Sequence, residues 1–184
     1  MAVSLTPEGL VGDRGGVIIS TGTMASLGFS SPEGADIDIP LPTGYDFFHV
    51  FIRYRLAANG TNRGTLWFQV KDSGANRLSL ETNSWQARRN GDNVLQYSTP
   101  GTWTQLGSFI DNGNWNYIEF TMDGKSVARP SITFKGNSTY GSVGSIYHYG
   151  SAHYGSTTQY RSVGLNCDDL DINGFEYRVI GYTL

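Results

Sequence analysis

The chain lacks most of the residue patterns that mark enzymes, metalloproteins and nucleic-acid-binding proteins. Only Cys167 of its 184 residues is a cysteine, so no internal disulfide can form, and no Cys/His spacing indicates zinc. Charged residues make up 16%, the net charge is −3, and no basic stripe occurs, which argues against a nucleic-acid partner. Phosphate loops, Gly-x-Ser-x-Gly and paired metal histidines are absent. We therefore expect no catalytic residues, no metal and no cofactor.

Segments for export or membrane insertion are also missing. The first 16 residues have neither a basic start nor a continuous apolar run, so they do not match a signal peptide. No stretch approaches the roughly 18 consecutive apolar residues of a membrane-spanning helix. We expect a protein that is made in the cytoplasm, is not bound to a membrane, and reaches the outside of a cell only by a route such as lysis.

Helical periodicity is absent too, and alternation of apolar and polar residues takes its place. Every second residue is apolar in Phe47–Leu56 and again in Thr65–Lys71, and the Asn-Gly between them predicts that these strands form a hairpin. Many short strands separated by turn residues predict an all-β protein with a single antiparallel β-sandwich, jelly-roll-like in form. The predicted strands are Val17–Ser20, Ala25–Ser30, Asp36–Ile39, Phe47–Leu56, Thr65–Lys71, Arg77–Glu81, Gln86–Arg89, Val94–Tyr97, Thr102–Phe109, Trp115–Met122, Ser131–Phe134, Ser145–Tyr149, Tyr160–Leu165 and Gly174–Tyr182.

The segment before the first predicted strand has a different character. Residues 1–14 contain Gly9 and Gly12 and show no alternation, which predicts an extended N-terminal arm followed by one domain over residues 15–184. Chain termini are usually loose unless something holds them. The arm is therefore either a loose tail or a segment that docks on a neighbouring subunit.

Tyrosine, histidine, glycine and serine are concentrated between Tyr140 and Tyr160. The segment has the sequence YGSVGSIYHYGSAHYGSTTQY, with Tyr-Gly-Ser three times. Tyrosine gives a large contact area at low entropy cost, and glycine and serine give adaptable polar contacts, as in antibody paratopes. The alternative is a glycine-rich loop with two short strands whose tyrosines simply pack. The residues expected to contact a ligand or partner are Tyr147, His148, Tyr149, His153 and Tyr154.

The four tryptophans are a second candidate for contacts outside the chain. Trp67 points away from the apolar face of its predicted strand, and we include it among the candidate contact residues. Aromatic rings that stack on sugar rings would form a glycan-binding platform. Large aromatic residues also fill cores and subunit interfaces, so both interpretations stand. The other three tryptophans lie near turns, at Trp85, Trp103 and Trp115.

The carboxylates show no catalytic pair. Glycoside hydrolysis needs two carboxylates that face each other across a cleft. Glu81, Glu119 and Glu176 lie in predicted strands and could face outward together, but the sequence does not place any two within reach. The segments 111–114, which is Asp-Asn-Gly-Asn, and 167–171, which holds three aspartates, supply only part of a calcium loop and are better explained as turns.

Four segments combine strands with characteristic turns. They are GVIISTGTMASLGFS with the turn IPLPTGYD, then FFHVFIRYRLAANGTNRGTLWFQVKDSG, then SITFKGNSTYG, and finally LDINGFEYRVIGYTL. Together they resemble the compact β-sandwich proteins and domains on the surface of tailed-phage virions, which occur in tail fibres, head spikes and decoration proteins. The resemblance spans about residues 15–184. It rests on strands and turns and on no catalytic signature.

The resemblance implies a non-enzymatic structural protein on the virion surface, released by lysis and frequently trimeric. Its partners would be other virion proteins, of the capsid or the tail, bound through the N-terminal arm, and a host surface glycan would be the ligand of the exposed face. We expect a capsid decoration, cement or head-spike protein, because a short arm and no repetitive shaft precedes the sandwich. The alternatives are a tail-fibre receptor-binding protein, a free carbohydrate-binding module and a small glycan-cleaving enzyme.

Overall fold

The computed structural model describes residues 4–6, 9–11, 16–23, 37–56, 63–88, 94–97, 104–110, 114–125, 127–140, 144–168 and 172–184. Every regular element within these ranges is a β-strand, as the alternating pattern predicts, and they contain no helix. The strands are β1 (Ser4–Thr6), β2 (Gly9–Val11), β3 (Val17–Thr23), β4 (Ile37–Pro40), β5 (Phe47–Leu56), β6 (Arg63–Lys71), β7 (Leu80–Arg88), β8 (Val94–Tyr97), β9 (Thr104–Ile110), β10 (Trp115–Asp123), β11 (Val127–Ala128), β12 (Ser131–Tyr140), β13 (Gly144–Tyr154), β14 (Thr157–Thr158), β15 (Ser162–Asp168) and β16 (Ile172–Tyr182).

The strands form two main sheets with antiparallel neighbours. The large sheet has eight strands in the order β3-β16-β5-β10-β12-β13-β7-β8, and the small sheet has four in the order β4-β15-β6-β9. Two short pairs, β1 with β2 and β11 with β14, lie outside them. The inner faces of the two main sheets share one hydrophobic core. The prediction of an all-β antiparallel sandwich is confirmed.

The core is built from the apolar positions that alternate along each strand. Phe68 of the small sheet packs against Phe120 and Phe134 of the large sheet, with ring centroids 5.2 and 5.1 Å apart. All three side chains are buried. Burial of a large apolar side chain contributes roughly 1.5–3 kcal/mol, so this contact between the sheets is a main source of stability.

The predicted hairpin between β5 and β6 is wrong, because the two strands belong to different sheets. β5 pairs with β10 and β16, whereas β6 pairs with β15 and β9. An Asn-Gly signal favours a chain reversal without specifying the neighbour that a strand acquires. The apolar faces of the two strands meet across the core: Phe48, Val50 and Ile52 come from β5, and Leu66, Phe68 and Val70 come from β6.

The tyrosine-rich segment forms an interior strand of the large sheet for most of its length. β13 pairs with β12 on one side and with β7 on the other. The strand predicted at 145–149 was therefore too short, and the interpretation of residues 150–154 as part of a loop is wrong. Because successive side chains of a strand point to opposite faces, only half of those in β13 can point outward.

Part of the predicted N-terminal arm is paired with itself. β1 and β2 form a short antiparallel hairpin in which Ser4 is opposite Val11 and Thr6 is opposite Gly9. The other residues of the segment 1–14 lie outside the described part of the chain. Docking of this arm on a neighbouring protein stays a prediction.

A buried tyrosine ties the connection between β14 and β15 to the residue before β12. The Tyr160 hydroxyl donates a hydrogen bond of 2.5 Å to the carbonyl oxygen of Pro130, which also accepts one from the Tyr154 N–H at 3.2 Å. Tyr160 is fully buried, and this burial raises the pKa of its hydroxyl well above the ordinary 10.0. The hydroxyl therefore stays protonated and remains a donor over the whole physiological pH range.

We expect Tyr160→Phe to lower the free energy of unfolding by about 1 kcal/mol, because one buried hydrogen bond is lost while Pro130 keeps its second donor. Tyr160→Ala should lower it by roughly 3–5 kcal/mol, since it also leaves a cavity. Urea denaturation followed by tryptophan fluorescence measures both values. Tyr149→Phe, at an exposed tyrosine, is the matched control. If Tyr160→Phe were as stable as this control, the hydrogen bond would contribute nothing.

Candidate binding face

The outer face of the large sheet carries most of the exposed apolar side chains. Eight large apolar side chains are exposed among the described residues, and six of them point outward from this sheet. Exposed apolar patches usually mark interaction surfaces. We call the outward residues of β3, β16, β5, β10, β12 and β13 the outer face. Its six exposed apolar side chains are Ile18, Phe51, Trp115, Tyr117, Tyr147 and Tyr149.

A charged cluster lies at the centre of the outer face, where β5, β10 and β12 run side by side. Glu119 on β10 is the cross-strand neighbour of Phe51 on β5 and of Lys135 on β12. One of its carboxylate oxygens lies 2.6 Å from Lys135 Nζ, and the other lies 3.0 Å from His49 Nε2. The side chain of Glu119 is only 14% exposed. The carboxylate is thus sheltered from water and held from two sides.

The environment of His49 favours its neutral form. Burial, and then the positive charge of Lys135, lower the pKa of His49 below its ordinary 6.5. The neutral imidazole donates its Nε2 proton to Glu119, and its ring packs on Phe51 with centroids 4.1 Å apart.

A groove runs beside this cluster, across β3, β16, β5 and β10. Its volume is about 710 Å³, which is within the range of small-molecule binding sites. Phe51 and Tyr117 provide its aromatic surface, and Arg53 and Arg178 provide its guanidinium groups. Because β5 and β10 pair without a register shift, these outward side chains lie in aligned rows across the sheet.

Ion pairing and cation–π contacts order one end of the groove. Arg53 Nη1 donates a hydrogen bond of 3.2 Å to Glu176 Oε2, and its guanidinium carbon lies 4.9 Å from the centre of the Trp115 ring. The guanidinium carbon of Arg55 lies 5.5 Å from the same ring. Such cation–π contacts contribute about 0.5–1 kcal/mol at exposed sites. They orient the tryptophan, while Arg53 compensates the charge of Glu176.

Three of the predicted contact residues of β13 point toward the outer side of the sheet. Tyr147 and Tyr149 are 54% and 46% exposed, as a contact role requires. His153 also points outward, and its Nε2 lies 3.2 Å from a carboxylate oxygen of Glu81. Tyr154, at the end of the strand, is half-buried and packs against the core. Contact of these residues with a ligand stays a prediction.

His148 was expected on the outer side of the sheet, and the structure places it on the inner side. It is 3% exposed and points into the sandwich, so the expectation that it faces a ligand is wrong. The physical reason is the strand itself: Tyr147 and Tyr149 occupy the outer face, which leaves the residue between them on the inner one.

The tryptophans do not form a common platform. Trp67 lies on the small sheet, half-buried, with Asn166 as its neighbour on β15, so it is separate from the outer face. Trp115 belongs to the outer face. For Trp85 only the backbone is described, and Trp103 lies outside the described residues. A contact role for Trp67 stays a prediction.

Arg53, Tyr117 and Arg178 belong to the groove but carry no distinctive sequence motif. Each stands between two buried residues of its strand, which is the signal that could have assigned it to an outward position. Only the pairing of β16 with β5 and of β5 with β10 brings the three together. Such long-range pairing is not readable from local alternation.

The three glutamates considered for catalysis all point outward, and each contacts a cation or a histidine. Glu119 contacts the lysine and histidine described above, Glu176 pairs with Arg53, and Glu81 pairs with His153. Glu119 and Glu176 line the same groove. Within the described ranges no group of three or more His, Cys, Asp or Glu residues could hold a metal ion. Those ranges also contain no helix long and apolar enough to cross a membrane.

Comparison with known proteins gives no family for this chain. No protein-family model and no curated protein matches it. Among solved structures, one match is the crystal structure of Scytalido-glutamic peptidase with a peptide-based transition-state analogue, at a TM-score of 0.32 and 12% sequence identity. The match covers 76% of this chain and 66% of the peptidase chain. A similarity this low supports no statement about function.

The environment of His49 predicts a pH-dependent contribution to stability. Because its pKa is lowered from 6.5, the unfolded chain takes up this proton at a higher pH than the folded chain. The contribution of His49 to the free energy of unfolding should therefore be fully present above the pKa of the unfolded chain. It should be lost as the pH drops through 6.5 toward the lowered pKa of the folded chain. His49→Gln should flatten this dependence, measured by urea denaturation between about pH 7 and 5. If the free energy of unfolding of the variant fell with pH as steeply as that of the parent, His49 would not be the source of the pH dependence.

Proposed function

We propose that this chain is a non-enzymatic structural protein on the surface of tailed-phage particles, either a capsid decoration or a head-spike protein. The observation that carries the proposal is the concentration of exposed aromatic side chains on one face of a compact β-sandwich. A face of this kind suits contact with a second molecule. The proposed location rests on the resemblance of residues 15–184 to phage virion sandwiches.

The proposal gives the N-terminal segment and the outer face different tasks. The segment 1–14 attaches the protein to a neighbouring capsid or tail protein, and the outer face is directed at the surroundings of the particle. Chain termini are usually loose unless something holds them, and a neighbouring protein could hold this segment. Trimerisation on the particle is part of this proposal.

A tail-fibre receptor-binding protein or a free carbohydrate-binding module is the second candidate. It is favoured by the groove of the outer face, where aromatic rings and charged groups line about 710 Å³. Both candidates bind through the same surface. They differ in whether the chain is attached to the particle, and where.

Immunogold electron microscopy tests the virion location. Antibodies raised against the purified chain should label particles of the phage whose genome carries the gene, on the capsid or at its vertices. Labelling confined to tail fibres would favour the receptor-binding alternative. Recovery of the chain only in the soluble fraction of the lysate, with unlabelled particles, would exclude a virion protein.

Two variants should separate the task of the arm from that of the outer face. Deletion of residues 2–14 should abolish attachment to particles that lack the protein, while the melting temperature of the sandwich stays nearly unchanged. The double variant Tyr147→Ala/Tyr149→Ala should still attach and should weaken adsorption to host cells, because both side chains are exposed. Its stability should stay within about 0.5 kcal/mol of the parent, as for other surface changes. The opposite outcome, attachment by the deletion variant and loss of attachment by the double variant, would show that the outer face is the docking surface.

A further inference from the structure

We infer that the groove of the outer face binds a sugar ring that carries a carboxylate, with Arg178 as the ionic partner of that carboxylate. The inference rests on the proposed binding role of the outer face and adds the chemical class of the ligand. It is drawn from the distribution of charge in the groove, from its aromatic surface and from its position within the sheet.

The charge of the groove is balanced except at Arg178. Glu176 is compensated by Arg53 at 3.2 Å, and Glu119 is compensated by Lys135 at 2.6 Å. Among the residues that the structure describes, no carboxylate lies within ion-pairing distance of the Arg178 guanidinium. The groove therefore presents one uncompensated positive charge, although the chain as a whole carries −3. An anionic ligand group would complete the balance.

A guanidinium group selects among anions by geometry as well as by charge. Its planar fork of N–H donors matches the two oxygens of a carboxylate, so the pair forms two parallel hydrogen bonds. Arg178 lies on β16 between Thr21 of β3 and Phe51 of β5. A ligand carboxylate at this point would lie beside a threonine, which can add a hydroxyl hydrogen bond, and beside an aromatic ring.

The aromatic surface of the groove favours a ligand with an apolar ring face. Phe51 is the direct cross-strand neighbour of Arg178, and the outward ring of Tyr117 lies one row further along. Both side chains are exposed. A pyranose ring has a face of C–H groups that can lie on such rings, while its hydroxyls reach the polar side chains around it. A carboxylate on the same ring would reach the guanidinium.

The position of the groove argues against a peptide as the occupant. A peptide that recognises a sheet usually adds a strand to a free edge, where backbone groups are unpaired. This groove spans four adjacent strands, about 14 Å at the usual spacing between strands, and only β3 is an edge. The backbone groups of β16 and β5 are used by neighbours on both sides. Recognition here must come from side chains, which suits a compact ring.

The test uses oligosaccharides with terminal galacturonic, glucuronic or N-acetylneuraminic acid, each paired with its carboxyl-reduced counterpart. Binding to the full chain is measured by isothermal titration calorimetry. We expect at least one acidic oligosaccharide to bind and its reduced counterpart to bind about tenfold more weakly or not at all, as for loss of a hydrogen-bonded charge. Absence of binding to all three acids, or equal binding of an acid and its reduced form, would overturn the inference.

Variants locate the site within the groove. Arg178→Gln should weaken binding of the acidic oligosaccharide about tenfold or more and leave the reduced form unaffected, and Arg178→Lys should restore only part of the loss. Tyr117→Ala should weaken both forms. Arg129→Gln removes the same charge at an exposed position outside the groove and is the matched control. If Arg178→Gln bound the acid as tightly as this control, the assignment of Arg178 would be wrong.

Two further outcomes distinguish this inference from the proposed function. If phage particles are labelled but no acidic oligosaccharide binds, the virion location stands and the inferred acidic sugar ligand is rejected. If an acidic oligosaccharide binds through Arg178 but the particles are unlabelled, the virion location is rejected and the chain is a free saccharide-binding module. Light scattering completes the test, because a dimer or trimer that dissociates on Arg178→Gln would show that the groove is covered by a second copy.

Discussion

The contact of Phe68 with Phe120 and Phe134 is the interaction on which the rest of the structure depends. It joins the two sheets, and its three rings belong to the same hydrophobic core as the other inward side chains. Successive side chains of a strand point to opposite faces of its sheet. When the apolar side chains of a strand pack in this core, the side chains between them must point outward. The character of the outer face is therefore a consequence of how the core is packed.

The register of strand pairing determines which outward side chains lie next to one another on the outer face. The pairings of β5 with β10, of β10 with β12 and of β12 with β13 have no register shift, so His49, Glu119 and Lys135 lie on adjacent strands and Glu119 contacts the other two. A slip of one residue in any of these pairings would exchange its inward and outward residues. Burial of the apolar set opposes such a slip. The hydrophobic core thus positions the charged cluster, even though no member of the cluster belongs to the core.

Local alternation predicted many of the described strands at least in part, and long-range pairing was the part that it could not supply. The predicted strands Arg77–Glu81 and Gln86–Arg89 both fall on the single strand β7, and Ala25–Ser30 lies outside the described residues. β5 was predicted with its observed bounds, because ten residues alternate without interruption. Its pairing partner was predicted wrongly, since a turn signal between two strands does not distinguish a hairpin from a crossing between sheets. His148 was assigned to the surface because its neighbours resemble a loop, and the continuous strand reverses that assignment. Arg53 becomes the neighbour of Glu176, and Phe51 that of Arg178, only through the pairing of β5 with β16, whose residues are more than 100 positions apart in the sequence.

The same pairing determines what the outer face can recognise. Glu119 and Glu176 are engaged by cations from neighbouring strands, so their charges hold side chains in place and are not free to attract a ligand cation. Their partners are ordered before any ligand arrives, which lowers the entropy lost on binding. Rings and guanidinium groups on paired strands are also held more rigidly than they would be on loops. Arg178 pairs with no carboxylate among the residues that the structure describes, and it lies opposite Phe51 on this surface. This combination is the reason for proposing an anionic partner with a flat apolar side.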